Sequence, residues 1–205
     1  IYFMEIKNEK IKCDVCPREC KLGLNQEGFC HVRKNINGKI ILTTYGYNTG
    51  LSLDPIEKKP LYHFYPKSSI LSFGTIGCIM GCRFCQNFQT SKSLDNPMNY
   101  NKLSPNNIVL IAKNNEISSL AFTYNDPVAF FEYAVDTAKL AKEAGLKTVH
   151  VTSGYISDKK REEFFRYIDA ANIDLKGFSE KFYNKNCFAH LKPVLDTIKY
   201  VKNET

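Results

Sequence analysis

The chain has 205 residues, of which 43% are hydrophobic and 24% charged, the balance of one globular domain or one domain with a small appendage. Fourteen Phe and 12 Tyr exclude disorder as the main state, and no apolar run approaches the ~20 residues of a membrane helix. The net charge of +7 permits an anionic partner, but the lysines are dispersed, so a solvated surface is favoured over nucleic-acid binding.

Ile1-Tyr2-Phe3-Met4 is followed at once by charges, which argues against an export signal and for a cytoplasmic setting. The first residue is not Met, which suggests a start inside a longer reading frame. Residues 1–66 form a cysteine-rich segment with Cys13, Cys16, Cys20 and Cys30. A β-hairpin is expected where Asn37-Gly38 separates Ile36 from Ile40-Ile41-Leu42, a type I′ turn signal. Pro55, Pro60 and Pro66 punctuate the link that follows.

From residue 67 to 205 strand and helix alternate. Ile70–Gly74 reads as a buried strand, Ser104-Pro105 as a helix start, and Ser119–Phe122 as a second strand. Asp126-Pro127 reads as the next helix start, with Asp126 as N-cap and Gly145 as the stop. Lys147–Val151 is the third strand, Ser157 caps a helix reaching Phe164, Phe165 and Ile168, and Ala171–Leu175 is the fourth strand. Leu191, Val194, Leu195, Ile198 and Val201 share one face of the last helix. The fold class is therefore α/β, a partial (β/α) barrel of parallel strands with about four β/α units. Four units cannot close an eight-stranded barrel.

Seven of the eight cysteines lie in two clusters. Without an export signal they are expected to be thiols, and clustered thiolates bind metal. Cys187 stands alone and reads as a small core or surface residue. The loop after the first strand carries Cys78, Cys82 and Cys85 as Cys-x3-Cys-x2-Cys. Three thiolates on one loop can each hold one iron of a cubane and leave the fourth iron open. Gly77 and Gly81 let the backbone fold tightly round such a cluster. The competing reading is a zinc site completed by a distant ligand such as His63. Every later strand also ends in polar residues: Thr123-Tyr124-Asn125-Asp126, Thr152-Ser153, and Asp174 with Lys176. On a parallel sheet these share the rim that carries the cysteine loop. Carboxylates and amides there suit an ammonium group, and Lys176 suits a carboxylate.

The Cys78–Cys85 loop, Cys13-Asp14-Val15-Cys16-Pro17-Arg18-Glu19-Cys20, Asp54–His63, Phe122–Pro127, Thr152–Tyr155 and Asp174–Phe178 together resemble the radical SAM superfamily. The group they look closest to is the AmmeMemoRadiSam system radical SAM enzymes, related to pyruvate formate-lyase activating enzyme. The resemblance implies that Cys78, Cys82 and Cys85 ligate a [4Fe-4S] cluster whose fourth iron takes the amino and carboxylate groups of S-adenosylmethionine. One electron, from a donor such as ferredoxin or flavodoxin, then cleaves the cofactor to methionine and a 5′-deoxyadenosyl radical, which abstracts hydrogen from a protein or small-molecule substrate. It places Asn125 and Asp126 where the superfamily binds the cofactor amino group, although many relatives carry Glu at the position of Asp126. It places Asp174 and Lys176 in a segment that contacts the cofactor; Ser153 is a further candidate on the shared rim. The last strands of the superfamily's barrel carry adenine contacts, so four units alone are expected to bind the cofactor less tightly. Cys13, Cys16, Cys20 and Cys30 supply four soft ligands within eighteen residues, for zinc or for an auxiliary iron–sulfur cluster. The alternative from another class is a metal-stabilised RNA- or protein-binding module without catalysis.

Overall fold

The structure, a computed structural model, describes residues 10–204. The opening Ile1–Met4, read above for an export signal, lies outside the described residues.

The cysteine-rich segment folds as short antiparallel pairs. β1 (Ile11–Lys12) pairs β2 (Lys21–Leu22), and β3 (Arg33–Ile36) pairs β4 (Lys39–Leu42). Between the latter, Asn37 and Gly38 have φ of 50° and 81°, the two positive values a type I′ turn requires. β5 (Tyr47–Asn48) pairs later with β8, and β6 (Leu51–Pro55) runs antiparallel to β7 (Ser69–Phe73). After β7 come the cysteine loop, the single turn α1 (Phe88–Ser91) and β8 (Asn101–Lys102). Regular alternation follows: α2 (Pro105–Asn114), β9 (Ser119–Phe122), α3 (Phe131–Glu143), β10 (Lys147–Thr152), α4 (Asp158–Phe165) and β11 (Ala170–Ile173). The short turn α5 (Glu180–Phe182), a π turn over Tyr183–Cys187 and α6 (Leu191–Glu204) complete it.

The main sheet has the order β11-β10-β9-β7-β6. Its four parallel strands are the four expected, and β6 is added antiparallel at one edge. The sheet is open, with β11 and β6 as its edges, so the architecture is a mixed α/β sheet consistent with part of a β/α barrel. Register explains its two faces. Leu71, Phe73, Leu120, Phe122 and His150 project to the main core, where Phe130, Phe131, Tyr133 and Phe164 pack on them. The alternate residues Ile70, Ala121 and Val149 form a second cluster, covered by Ile56, Leu61 and Phe64. The proline-punctuated link thus fills the face that a closed barrel would turn inward.

Helix ends follow local chemistry in two cases and depart from it in two. At α2 the Ser104 hydroxyl accepts from the Asn107 amide (3.2 Å) and Asn107 Oδ1 accepts from the Ser104 amide (3.2 Å), a capping box with Asn in the third position. At the end of α3 the Gly145 and Leu146 amides donate to Lys142 and Ala141 carbonyls, a Schellman closure with Gly145 at φ 79°. The start expected at Asp126-Pro127 is displaced: α3 begins at Phe131, and residues 127–130 form non-helical turns. Asp126 is therefore not the cap of α3, because its carboxylate is committed to the end of β10. Ser157 stands at the N-cap of α4, but its hydroxyl donates to the Asp14 carbonyl (2.5 Å) instead of capping. Ile168 falls beyond α4, which closes at Phe165. No helix among the described residues is long and apolar enough to cross a membrane.

Candidate functional site

The C-terminal ends of β7, β9, β10 and β11 open on one cleft of about 300 Å³. Cys78, Cys82, Cys85, Asn125, Asp126, Ser153, Asp174 and Lys176 all line it. The residues singled out by spacing and by strand-end polarity therefore meet in one place. His63, the distant ligand of the zinc reading, is exposed and lies outside this lining.

The cysteine loop is held from both sides. Arg18 Nε donates to the Ile79 carbonyl (2.6 Å), and Lys92 Nζ donates to the Met80 carbonyl. From the other side, the Gly81 and Arg83 amides donate to the Cys187 and Asn186 carbonyls, both at 2.9 Å. The left-handed conformation of Phe188 ends that π turn and lets the chain lie against the loop. Gly77 has φ 80°, and a Cβ there would lie 2.4 Å from the Cys30 carbonyl oxygen. The loop entrance thus demands glycine both for its conformation and for the close approach.

Cys78, Cys82 and Cys85 are half-buried. Burial pushes the Cys78 thiol up to about 12, with repulsion from Asp126 adding to it. Burial, with the neighbouring Cys187, likewise raises Cys82 to about 12. Against this, the backbone amides of Met80 and Asp126 act to lower the Cys78 thiol, and the charge of Lys176 acts to lower Cys82. Cys85 Sγ lies 3.2 Å from Ser91 Oγ. These are the surroundings of sulfurs that become thiolates when a cationic group brings compensating charge. The donor set, three soft sulfurs facing a polar wall, fits a cubane ligated at three corners with its fourth corner toward the cleft.

Asn125 and Asp126 lie in the cleft, but their side chains are spent on their own chain. Asn125 Oδ1 accepts from the Thr75 amide (3.0 Å), while its Nδ2 donates to Thr75 Oγ1 and to the Ile76 and Gly77 carbonyls. This staples the end of β9 to the entrance of the cysteine loop. Asp126 Oδ1 accepts from the Val128 amide (3.1 Å) and Thr152 Oγ1 (2.9 Å). Its Oδ2 accepts from the Ser153 amide (2.8 Å) and the Ser153 hydroxyl. Four donors fill the four lone-pair sites of the carboxylate.

Lys176 and Asp174 are the charged pair left facing the cleft. Lys176 Nζ donates to Asp174 Oδ2 (2.7 Å), and Asn172 Nδ2 holds Asp174 Oδ1 (2.7 Å). Burial opposes the charge of Lys176, but Asp174, with Cys82 and Asp126 behind it, holds its pKa above the ordinary lysine value. The ammonium is thus firmly charged while half shielded from water.

Three participants, Cys187, Arg18 and Lys92, were not expected at the site from the sequence. Cys187 is fully buried with its thiol against Cys82. Arg18 and Lys92 grip the loop carbonyls. Tyr124, at φ 71°, lines the cleft with its hydroxyl on Asp54 Oδ2 (2.9 Å). Asp54 is also bound by Lys59 (2.7 Å), so a buried ion pair anchors that wall. Only the Asp54–His63 stretch gives a sequence signal for that pair.

A family model of the Radical SAM superfamily matches residues 73–205. Over 202 residues the chain is 37% identical to an uncharacterized protein of Methanocaldococcus jannaschii, a match that covers 98% of the chain and 60% of that relative. The chain thus spans about three fifths of the length of the curated relative it matches.

Proposed function

The chain belongs to the radical SAM superfamily, and from that premise we propose that this cleft binds a [4Fe-4S] cluster on Cys78, Cys82 and Cys85 and cleaves S-adenosylmethionine reductively. The observation that carries the proposal is the single cleft shared by the three cysteines and the polar ends of three further strands. When bound, the cluster supplies the electron that splits the sulfonium into methionine and a 5′-deoxyadenosyl radical.

The chain's own residues bind and orient. Lys176 offers its ammonium to the cofactor carboxylate, and Asp174, held by Asn172, offers a carboxylate to the cofactor ammonium. Asn125 and Asp126 are positioning residues in this reading: they fix the loop entrance and the Ser153 turn on which the cofactor lies. The Met80 and Asp126 amides tune the Cys78 sulfur. Phe84 in the cleft, 50% exposed, and Phe178, two residues beyond Lys176 and 90% exposed, offer apolar surface suited to a macromolecular substrate. We extend the proposal accordingly to an activating-enzyme-like role: hydrogen abstraction from a protein, in the cytoplasm, with ferredoxin or flavodoxin as electron donor.

The test is anaerobic reconstitution with iron and sulfide, followed by dithionite and S-adenosylmethionine, with 5′-deoxyadenosine and methionine counted by mass spectrometry. Equal amounts of both products are expected. A loaded protein that yields neither overturns the proposal. Lys176→Met is expected to weaken S-adenosylmethionine binding about tenfold, the size of one charge-assisted contact. Isothermal titration of the reconstituted protein reads this directly, and unchanged affinity would remove Lys176 from the site.

A further inference from the structure

We propose that Cys13, Cys16, Cys20 and Cys30 hold a second iron–sulfur cluster, ligated by the protein at every corner and faced by the buried Arg33. The four sulfurs line one small enclosed cavity, with Arg33 and Ile79 completing its wall. Cys13, Cys16 and Cys30 are buried and Cys20 is half-buried.

A second observation is independent of the cysteines. Arg33 is 3% exposed, and its two terminal nitrogens are bound by the Glu132 carboxylate at 2.8 and 2.6 Å. Its Nε–H is buried with no partner among the described residues. An orphaned charged donor is costly in a low-dielectric interior. An anionic centre in the cavity that Arg33 lines would give that donor an acceptor.

Geometry and spacing favour a polynuclear centre over zinc. A tetrahedral zinc draws four sulfurs to about 2.3 Å from one point. The four sulfurs here are instead spread round the wall of a cavity that Arg33 and Ile79 also line, an arrangement that suits a cubane. The uneven x2, x3, x9 spacing also differs from the paired Cys-x2-Cys halves of zinc ribbons. With four protein ligands this cluster has no open corner, so it would not take S-adenosylmethionine. It abuts the other site: the Cys30 carbonyl packs on Gly77, and Arg18 reaches from beside Cys16 to the Ile79 carbonyl.

The experiment uses the full chain with Cys78, Cys82 and Cys85 all replaced by Ala, reconstituted anaerobically with iron, sulfide and zinc all present. The expected result is about four irons and four acid-labile sulfides per chain, with a [4Fe-4S] Mössbauer signature and a reduced EPR signal that S-adenosylmethionine does not move. Arg33→Met in the same background should lower the midpoint potential, since a positive charge beside the cluster favours its reduced form, and Arg33→Lys should restore it. Stoichiometric zinc without sulfide, mononuclear iron, or no metal overturns the proposal. Should the triple variant not fold, the unmodified chain decides: about eight irons support two clusters, and about four overturn the second. Because 5′-deoxyadenosine formation is read separately on the unmodified chain, failure here is distinguishable from failure of the proposed activity.

Discussion

Cys82→Ala eliminates 5′-deoxyadenosine formation, by at least about a thousandfold, or about 4 kcal/mol of lost transition-state stabilisation. The cleft has three sulfurs for a cluster that uses all three, and no other thiol lines it. The nearest replacement is Cys187, whose thiol meets Cys82 from the π turn. Cys187 is fully buried and outside the lining of the cleft, so it does not take over while the loop keeps its conformation. The expected outcome is therefore loss of the cleft's iron together with activity, while iron on the N-terminal cysteines stays. Cys187→Ala, by contrast, removes only a packed thiol and should leave product formation within about threefold, with a destabilisation of about 1 kcal/mol. Iron analysis and product counting on the two single variants and the Cys82/Cys187 double variant separate these cases. Activity that survives in Cys82→Ala and disappears only in the double variant would mean that Cys187 is a reserve ligand and that the loop moves more than its hydrogen bonds suggest.

What is legible in the chain alone is whatever is local in sequence or periodic. The Cys-x3-Cys-x2-Cys spacing, the strand-end polar runs and the Asn37-Gly38 turn are all local, and each lies where its residues place it. Parallel topology then brings Asn125, Ser153, Asp174 and Lys176 to the cysteines, because strands of one direction end on one rim. The departures come from contacts that sequence separation hides. Asp126-Pro127 has the composition of a helix start, but Thr152 and Ser153, 26 and 27 residues later, compete for the carboxylate and win it. Ser157 likewise gives its hydroxyl to Asp14, 143 residues earlier. β6 gives no strand signal because Pro55 ends it and prolines follow. At a sheet edge a terminal proline loses no ladder bond that matters. The grip of Arg18 on the loop spans 61 positions and leaves no local trace.

Asp126→Asn tests the assignment of that carboxylate to structure and not to the cofactor. The wild-type oxygens accept four hydrogen bonds, two from backbone amides that cannot turn away and two from hydroxyls that can. An asparagine must present its NH2 to one of the two pairs. Either way a fixed amide donor, that of Val128 or of Ser153, faces another donor in a buried setting. One hydroxyl can rotate to accept, but the amide cannot, and every remaining bond loses its charge assistance. A charged hydrogen bond contributes about 1.5–3 kcal/mol and an unsatisfied buried donor costs about 1–3 kcal/mol, so a total near 4 kcal/mol is expected. For a chain of this size that lowers the melting temperature by about 8–15 °C. Asp126→Glu is no remedy, since the extra methylene carries the carboxylate past the Ser153 turn. Residue 126 is not a ligand of the proposed cluster, which Cys78, Cys82 and Cys85 hold. Cluster content measured below the melting transition should therefore stay near wild type, while the KM for S-adenosylmethionine rises as the Ser153 turn loosens. Calorimetry and product kinetics read the two effects separately. An Asp126→Asn protein that melts with the wild type yet loses cofactor affinity would mean that the carboxylate serves the ligand directly, and the positioning role assigned to it would be withdrawn.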